Sequence, residues 1–223
     1  MNRFSVKRGE LLLVSTFAWP LFDLWSDLPN LFAILHSALV PYGFRATDLR
    51  WEQGGGATDA KLVFHLLAFR LTVKMRVDQI EVQSFDLPRL DATAASAAVS
   101  ALFGALSEYR ARSSVRAHTF SIGLHGELVD QPTQPFLASF VRNAPEGLGR
   151  LAGAGCVYYF EQEGTRVSLS VTLDASSAVT DGLFFRVVSI WDASATTPDR
   201  MRYIVSEQTA AVANTFGLAI TNE

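Results

Sequence analysis

The sequence contains a single cysteine, Cys156, among its 223 residues. One thiol cannot close an internal disulfide, and it cannot by itself build a structural zinc site. Cys156 lies within an apolar, strand-like pattern, which predicts a small buried side chain and not a reactive thiol. The sequence also lacks an N-x-S/T glycosylation acceptor. These features favour a reducing, cytoplasmic setting.

Long apolar runs are also missing, since no stretch approaches the ~18 residues that a membrane-spanning helix needs. Arg3, Lys7 and Arg8 precede an apolar stretch at 11–19, an order that is similar to a secretion signal. Glu10 interrupts that approach, and no A-x-A cleavage site follows it. We therefore expect neither an export signal nor a membrane partner.

The common catalytic and metal-binding motifs do not occur: there is no H-E-x-x-H, C-x-x-C or G-x-S-x-G. The four histidines, at 36, 65, 118 and 125, do not have the spacing of metal ligands. The glycines at 54–56 are followed neither by Lys-Ser/Thr nor by a helix start, which a phosphate-binding loop requires. The sequence therefore predicts no metal and no cofactor, and it favours a non-enzymatic role.

Positive charge is not in excess either. The chain has 19 Lys and Arg against 22 Asp and Glu, a net charge of -3 and a pI near 5.8. A protein that binds nucleic acid usually presents a broad basic field, and this composition provides none. Nucleic acid is accordingly the weakest of the candidate partners.

The clearest pattern that is present begins at Phe69, where apolar and polar residues alternate as far as Val77. This is the period of a strand with one buried face. After Asp78-Gln79 the phase changes, which predicts a β-hairpin with Val77 opposite Ile80, Met75 opposite Val82 and Arg76 opposite Glu81. The first strand is expected to extend back to Lys61 through a bulge near 66–68.

A second hairpin is predicted for residues 156–173, with its turn at Glu163-Gly164. That turn sets Phe160 opposite Val167 and Tyr158 opposite Leu169. A further strand is expected at 183–191, and the first strand of the chain at 10–17, because both stretches are apolar and rich in β-formers.

Capping residues mark four helix starts: Asp27, Asp91, Thr133 and Thr197. Asp27 and Thr133 lie 106 positions apart, as do Asp91 and Thr197. This spacing predicts a β-α-β-β-β-α order that occurs twice, over residues 10–112 and 115–218. The fold expected is α+β, with antiparallel sheets covered by helices on one face. Residues 1–112 and 113–223 would form the two halves of one compact pseudo-duplicated unit.

An aromatic connector, residues 18–26, follows the first strand and contains Trp19, Phe22 and Trp25, with Pro20 preventing regular structure. Such a loop can fold inward to fill the core. Aromatic residues are also favoured anchors at protein interfaces, which makes these three side chains the candidate protein-binding residues.

The alternative site is a small-molecule cavity between the sheet and the helices. The 16 Phe, 5 Tyr and 4 Trp could line such a cavity, with His65 or His118 as the polar contact. A cavity of this kind would serve a ligand-binding protein or an enzyme.

Two short strings carry a resemblance to known proteins. They are Ile122-Gly123-Leu124, shortly after a helix that ends near Tyr109, and Phe216 to Thr221 at the end of the last helix. In layout, the chain resembles an uncharacterised bacterial family of two-part α+β proteins with no established activity. The resemblance implies a fold only. The function expected is a non-enzymatic adaptor, chaperone-like or immunity-like component of a bacterial system, which binds another protein or itself.

Overall fold

The computed structural model describes residues 1–56, 59–109, 115–140, 154–161, 168–192 and 207–222. Its central element is the strand β1 (Asn2–Phe17), which begins eight residues before the predicted start. Along one side, β1 pairs antiparallel with β6 (Val115–Leu128). A bulge between Val6 and Arg8 shifts this pairing by one residue. Before the bulge the even-numbered side chains Phe4 and Val6 are buried, and after it the odd-numbered side chains from Leu11 to Phe17 are buried. The bulge therefore lets apolar side chains from both parts of β1 point into the core.

The other side of β1 is shared by two strands. Its first residues pair in parallel with β10 (Leu218–Asn222), and its last residues pair antiparallel with β5 (Gln79–Ser84). The remaining strands are β2 (Arg50–Glu52), β3 (Lys61–Leu66), β4 (Leu71–Met75), β7 (Cys156–Glu161), β8 (Ser168–Ala175) and β9 (Leu183–Asp192). All of them belong to one ten-stranded sheet in the order β2-β3-β4-β5-β1-β6-β9-β8-β7, with β10 beside β1. The α+β fold class is therefore confirmed, and both halves of the chain share one sheet.

The described helices are α1 (Leu28–Leu39), α2 (Ala92–Tyr109), α3 (Thr133–Ala138) and α4 (Thr209–Thr215). They pack on one face of the sheet, where alternate residues of the strands join helix residues in one apolar core. Two of the predicted caps are confirmed: Asp27 Oδ1 accepts from the Asn30 N–H, and Asp91 Oδ1 accepts from the N–H groups of Thr93 and Ala94. We call this the covered face and the opposite side of the sheet the open face.

The long strand predicted from Lys61 to Arg76 is wrong, because the chain reverses between β3 and β4. Leu67, Ala68 and Phe69 have φ angles of 52°, 53° and 68°, in the left-handed region. The Leu67 N–H donates to the Tyr42 carbonyl at 2.7 Å, which fixes the turn from outside the hairpin. No glycine or asparagine marks this turn in the sequence, and non-glycine residues rarely adopt such angles.

The hairpin of β4 and β5 is confirmed, but its predicted register is wrong by two residues. Met75 pairs with Ile80 and Lys74 with Glu81, and the turn residues are Val77 and Asp78. The connector covers the observed turn: Val77 is fully buried, and its carbonyl accepts from the Leu21 N–H at 2.6 Å.

The second hairpin, of β7 and β8, shows the same kind of error. Phe160 pairs with Leu169 and Tyr158 with Val171, two residues away from the predicted register. The predicted turn at Glu163-Gly164 lies outside the described residues. Cys156 is only partly buried, on a strand at the edge of the sheet, and not in the core as expected.

The predicted repeat is not confirmed. Four strands separate α1 from α2 instead of three, and β10 follows the last helix. Before β3 the chain forms a 3₁₀ turn (Ala46–Asp48) and the short β2. The predicted Thr197 cap lies outside the described residues. No helix in the described part of the chain is long and apolar enough to cross a membrane.

Candidate protein-binding surface

The connector follows β1, and backbone hydrogen bonds to the β4–β5 turn hold it in place. The Phe17 N–H donates to the Asp78 carbonyl at 2.9 Å, and the Leu21 N–H donates to the Val77 carbonyl. The Leu21 side chain is buried beneath the connector. A short 3₁₀ helix (Phe22–Trp25) follows, and the Ser26 hydroxyl bonds back to the Asp23 carbonyl at 2.7 Å. The connector is therefore attached to the β4–β5 turn and leads directly into α1.

Two of the three predicted aromatic side chains point into solvent. Trp19 is 75% exposed and Phe22 is 54% exposed, on either side of the buried Leu21. Two large apolar side chains exposed this close together on one segment are candidates for contact with a partner. We call Trp19 and Phe22 the exposed connector pair.

Trp25 has a different environment, because it is partly buried against the core. Its ring meets that of Trp51 in β2, edge to face, with centroids 4.8 Å apart and an interplanar angle of 87°. The buried Nε1 of Trp25 has no hydrogen-bond acceptor among the described residues. Trp25 thus connects the 3₁₀ helix to the edge of the sheet and contributes more to the scaffold than to the surface.

Trp51 was missed as a site residue in the sequence. It pairs with Leu62 across β2 and β3, which places it on the covered face, yet it remains 40% exposed because β2 is the edge strand. An alternating Arg-Trp-Glu triplet was the only sequence sign of this position.

The connector and the residues next to it in the sequence carry charge of one sign. Between Arg8 and Arg45 the sequence contains no lysine or arginine, whereas Glu10, Asp23 and Asp27 fall in that interval. Asp23 and Asp27 are both exposed and belong to the connector and the cap of α1. The connector itself therefore combines aromatic groups with negative charge.

The two histidines predicted to line a cavity lie on opposite faces of the sheet. His65 is on the open face, where its Nδ1 is 3.1 Å from the Thr72 hydroxyl and its ring is 4.8 Å from that of Phe69. His118 is on the covered face, with its ring 5.9 Å from that of Phe103 in α2. The structure does not bring them together, so they cannot contact one ligand in a single cavity.

His118 shares a hydrogen bond with Ser15, whose hydroxyl oxygen is 2.7 Å from Nδ1. Burial lowers the pKa of His118 below its ordinary value. A hydroxyl bonded to an imidazole is the arrangement of an activated nucleophile, but Ser15 is completely buried. The geometry fits a buried hydroxyl and a partly buried imidazole that satisfy each other.

A third feature, which the sequence did not indicate, is a groove of about 700 Å³ at one end of the sheet, between residues 127–134 and 175–182. Two of its carboxylates already have partners. Asp130 accepts from the Arg3 backbone N–H and guanidinium, and these bonds lower the pKa of Asp130. Glu127 lies 3.8 Å from the Lys7 ammonium. The groove is open and has a mixed polar and apolar lining, and two of its carboxylates are paired within the protein.

No family model matches this sequence, and no curated protein matches it. Among solved structures, the chain is similar to DynU16, a protein of the dynemicin biosynthetic locus. The two chains are 12% identical, and the match covers 93% of this chain and 96% of DynU16 with a TM-score of 0.23. A likeness this distant carries no argument about function, and the resemblance to an uncharacterised bacterial family stays a prediction.

Proposed function

We propose that this protein is a non-enzymatic, cytoplasmic binding component of a bacterial system, with an adaptor, chaperone-like or immunity-like role. The exposed connector pair, Trp19 and Phe22, would anchor the partner protein. The observation that carries the proposal is the exposure of two large aromatic side chains on a segment fixed by backbone hydrogen bonds. Anchors that are already ordered lose little conformational entropy on binding, and aromatic anchors often dominate interface energy.

The charge of the connector indicates the chemistry of the partner. Because the exposed connector pair lies in a stretch that has carboxylates and no basic residue, the partner should offer an apolar pocket bordered by lysine or arginine. Rim charges of this kind mainly affect the association rate and its salt dependence. We therefore expect association to slow as salt rises.

The test is purification of the protein from its own host under mild conditions, followed by native mass spectrometry. A second polypeptide at fixed stoichiometry is expected with the unaltered chain. Trp19→Ala and Phe22→Ala should each weaken its binding by about tenfold or more, the size typical of an anchor residue. Both variants should remain folded, because these side chains contribute little to the core.

Phe85→Ala is the matched control, because Phe85 is 69% exposed and follows the end of β5 away from the connector. It should leave the complex unchanged. Equal loss of the partner in all three variants would contradict a specific role for the connector. Unfolding of Trp19→Ala and Phe22→Ala would show that these side chains serve the core.

A second candidate is a small-molecule site near His118. It is favoured by Ser189, which is 1% exposed and whose hydroxyl has no hydrogen-bond partner in the described part of the structure. Ser189 pairs with Phe120, next to the pair of His118 and Trp191, so these side chains share the covered face. A rise in melting temperature with one compound of a metabolite library, abolished by Ser189→Ala, would support this candidate. The absence of any rise in melting temperature across the library would count against this candidate.

A further inference from the structure

The strands at the two ends of the main strand order, β2 and β7, differ as edges. The β2 edge has three residues, and its Glu52 carboxylate is 2.9 Å from the Lys61 ammonium, which lowers the pKa of Glu52. Short length and charge are the devices by which natural sheets prevent pairing with another strand. The β2 edge is therefore protected.

The β7 edge lacks both devices. Its six residues, Cys156–Glu161, include one charged residue, at the end. Among the described residues β7 pairs only with β8. Three of its apolar side chains remain open to solvent: Val157 is 51% exposed, Tyr159 80% and Phe160 40%. An edge of this kind, about 20 Å long at ~3.4 Å per residue, can accept a further strand.

The side chains of β7 are apolar on both faces of the sheet. Tyr159 and Val157 pair with Ser170 and Thr172 and lie on the open face. Tyr158 lies on the covered face, where its ring is 5.3 Å from that of Phe216. A strand added to this edge would therefore meet apolar side chains above and below the sheet.

We propose that β7 pairs with β7 of a second copy of this chain, which joins two ten-stranded sheets into one. The two strands would run antiparallel about a two-fold axis perpendicular to the sheet. Residues directly opposite each other then share a face, which restricts the register to pairs of equal parity. This surface is separate from the connector, so self-association and the proposed binding of another protein are independent.

Within that restriction, a two-fold axis through Tyr158 gives the best contacts. It places Val157 opposite the partner's Tyr159 and Cys156 opposite the partner's Phe160. Pairs of aromatic and small or β-branched side chains stabilise antiparallel strands. The two copies of Glu161 fall at opposite ends of the ladder, opposite Gly155, so no like charges meet. The sequence of β7 is thus complementary to itself, which an edge for an unrelated peptide would not require.

The interface would be small. A strand edge with three exposed side chains offers less than the ~800 Å² per partner of a standard stable interface. We therefore expect a reversible dimer whose population depends on protein concentration.

The first test is sedimentation equilibrium of the full chain over a range of concentrations. A monomer–dimer equilibrium is expected, and Tyr159→Lys should weaken it by about tenfold or more because an ammonium group would be forced against the partner's Val157. Phe85→Lys, at another exposed aromatic position, should leave the dimer unchanged. Phe22→Ala, in the exposed connector pair, should also leave the dimer unchanged. Failure of the dimer proposal is therefore distinguishable from failure of the proposed function.

A second test determines the register without relying on Tyr159. In Phe160→Cys, the introduced thiol lies opposite the partner's Cys156, at a separation that a disulfide can span. Oxidised glutathione should convert this variant into a covalent dimer, whereas the double variant Cys156→Ala/Phe160→Cys should not crosslink. A monomer at every concentration with no crosslink would overturn the proposal. A dimer that Tyr159→Lys does not weaken would also overturn it, as would a different polypeptide found paired with β7.

Discussion

The partly buried Trp25 allows a test of how the connector is held. Trp25→Ala removes a ring that packs against the core and against Trp51. Complete burial of an aromatic ring is worth ~3–5 kcal/mol on truncation to alanine, and partial exposure places Trp25 below that range, at ~2–3 kcal/mol. Loss of the edge-to-face contact is included in this figure, at about 0.5–1.5 kcal/mol.

Trp25→Phe separates the ring from its N–H group. The smaller ring buries less apolar area, at a cost of about 1–2 kcal/mol. It also removes the buried Nε1 that has no acceptor among the described residues, and an unsatisfied buried donor costs ~1–3 kcal/mol. The two terms oppose each other, so we expect Trp25→Phe to change the free energy of unfolding by less than about 1 kcal/mol.

Urea unfolding followed by far-ultraviolet circular dichroism measures these differences without depending on tryptophan fluorescence. The expected order of stability places Trp25→Phe close to the unaltered protein and Trp25→Ala well below it. If phenylalanine destabilised the protein as much as alanine does, the indole N–H would have to contribute a favourable hydrogen bond. That result would refute the assignment of Nε1 as an unsatisfied donor.

Two further predictions concern the sheet. Burial lowers the pKa of His118 below its ordinary value of 6.5, so the unfolded chain binds a proton more readily, and stability should fall as the pH drops below about 6.5. His118→Gln should reduce this pH dependence of the free energy of unfolding, measured between about pH 5 and 8. Burial also lowers the pKa of His125, so His125→Gln should reduce the dependence in the same direction. An unchanged pH dependence in both variants would contradict the prediction. The hairpin register predicts a coupling of about 0.5 kcal/mol between Lys74 and Glu81, which are 3.6 Å apart, in a double-mutant cycle of unfolding free energies. The same cycle for Arg76 and Glu81 should give no coupling, and the reverse result would support the register predicted from the sequence.

Local patterns predicted the elements whose signals lie within a few residues. Alternating residues located β5 and β9, and side-chain caps at Asp27 and Asp91 located the starts of α1 and α2. These signals work because strand period, helix period and capping depend on neighbouring positions. The exposure of Trp19 and Phe22 was only one of two interpretations of the connector, since a run of aromatic residues does not reveal whether it faces inward or outward.

These short-range patterns did not predict the strand register of the two hairpins. Both hairpins were shifted by two residues, a shift that preserves which side chains are buried and so leaves the alternation unchanged. The hydrogen bond from the Leu21 N–H to the Val77 carbonyl is consistent with the observed turn, and it joins residues far apart in the sequence. No pattern within the hairpin contains that information.

The sequence by itself determined the fold class, the main buried faces and the absence of common catalytic motifs, because these follow from composition and short-range periodicity. Only the tertiary structure decided that one sheet unites both halves through β1, and that His65 and His118 lie on opposite faces. The reversal at Leu67–Phe69 rests on backbone angles that no residue type there predicts. The position of β7 at an open edge depends on which strands pair, and strand pairing is a contact between distant segments.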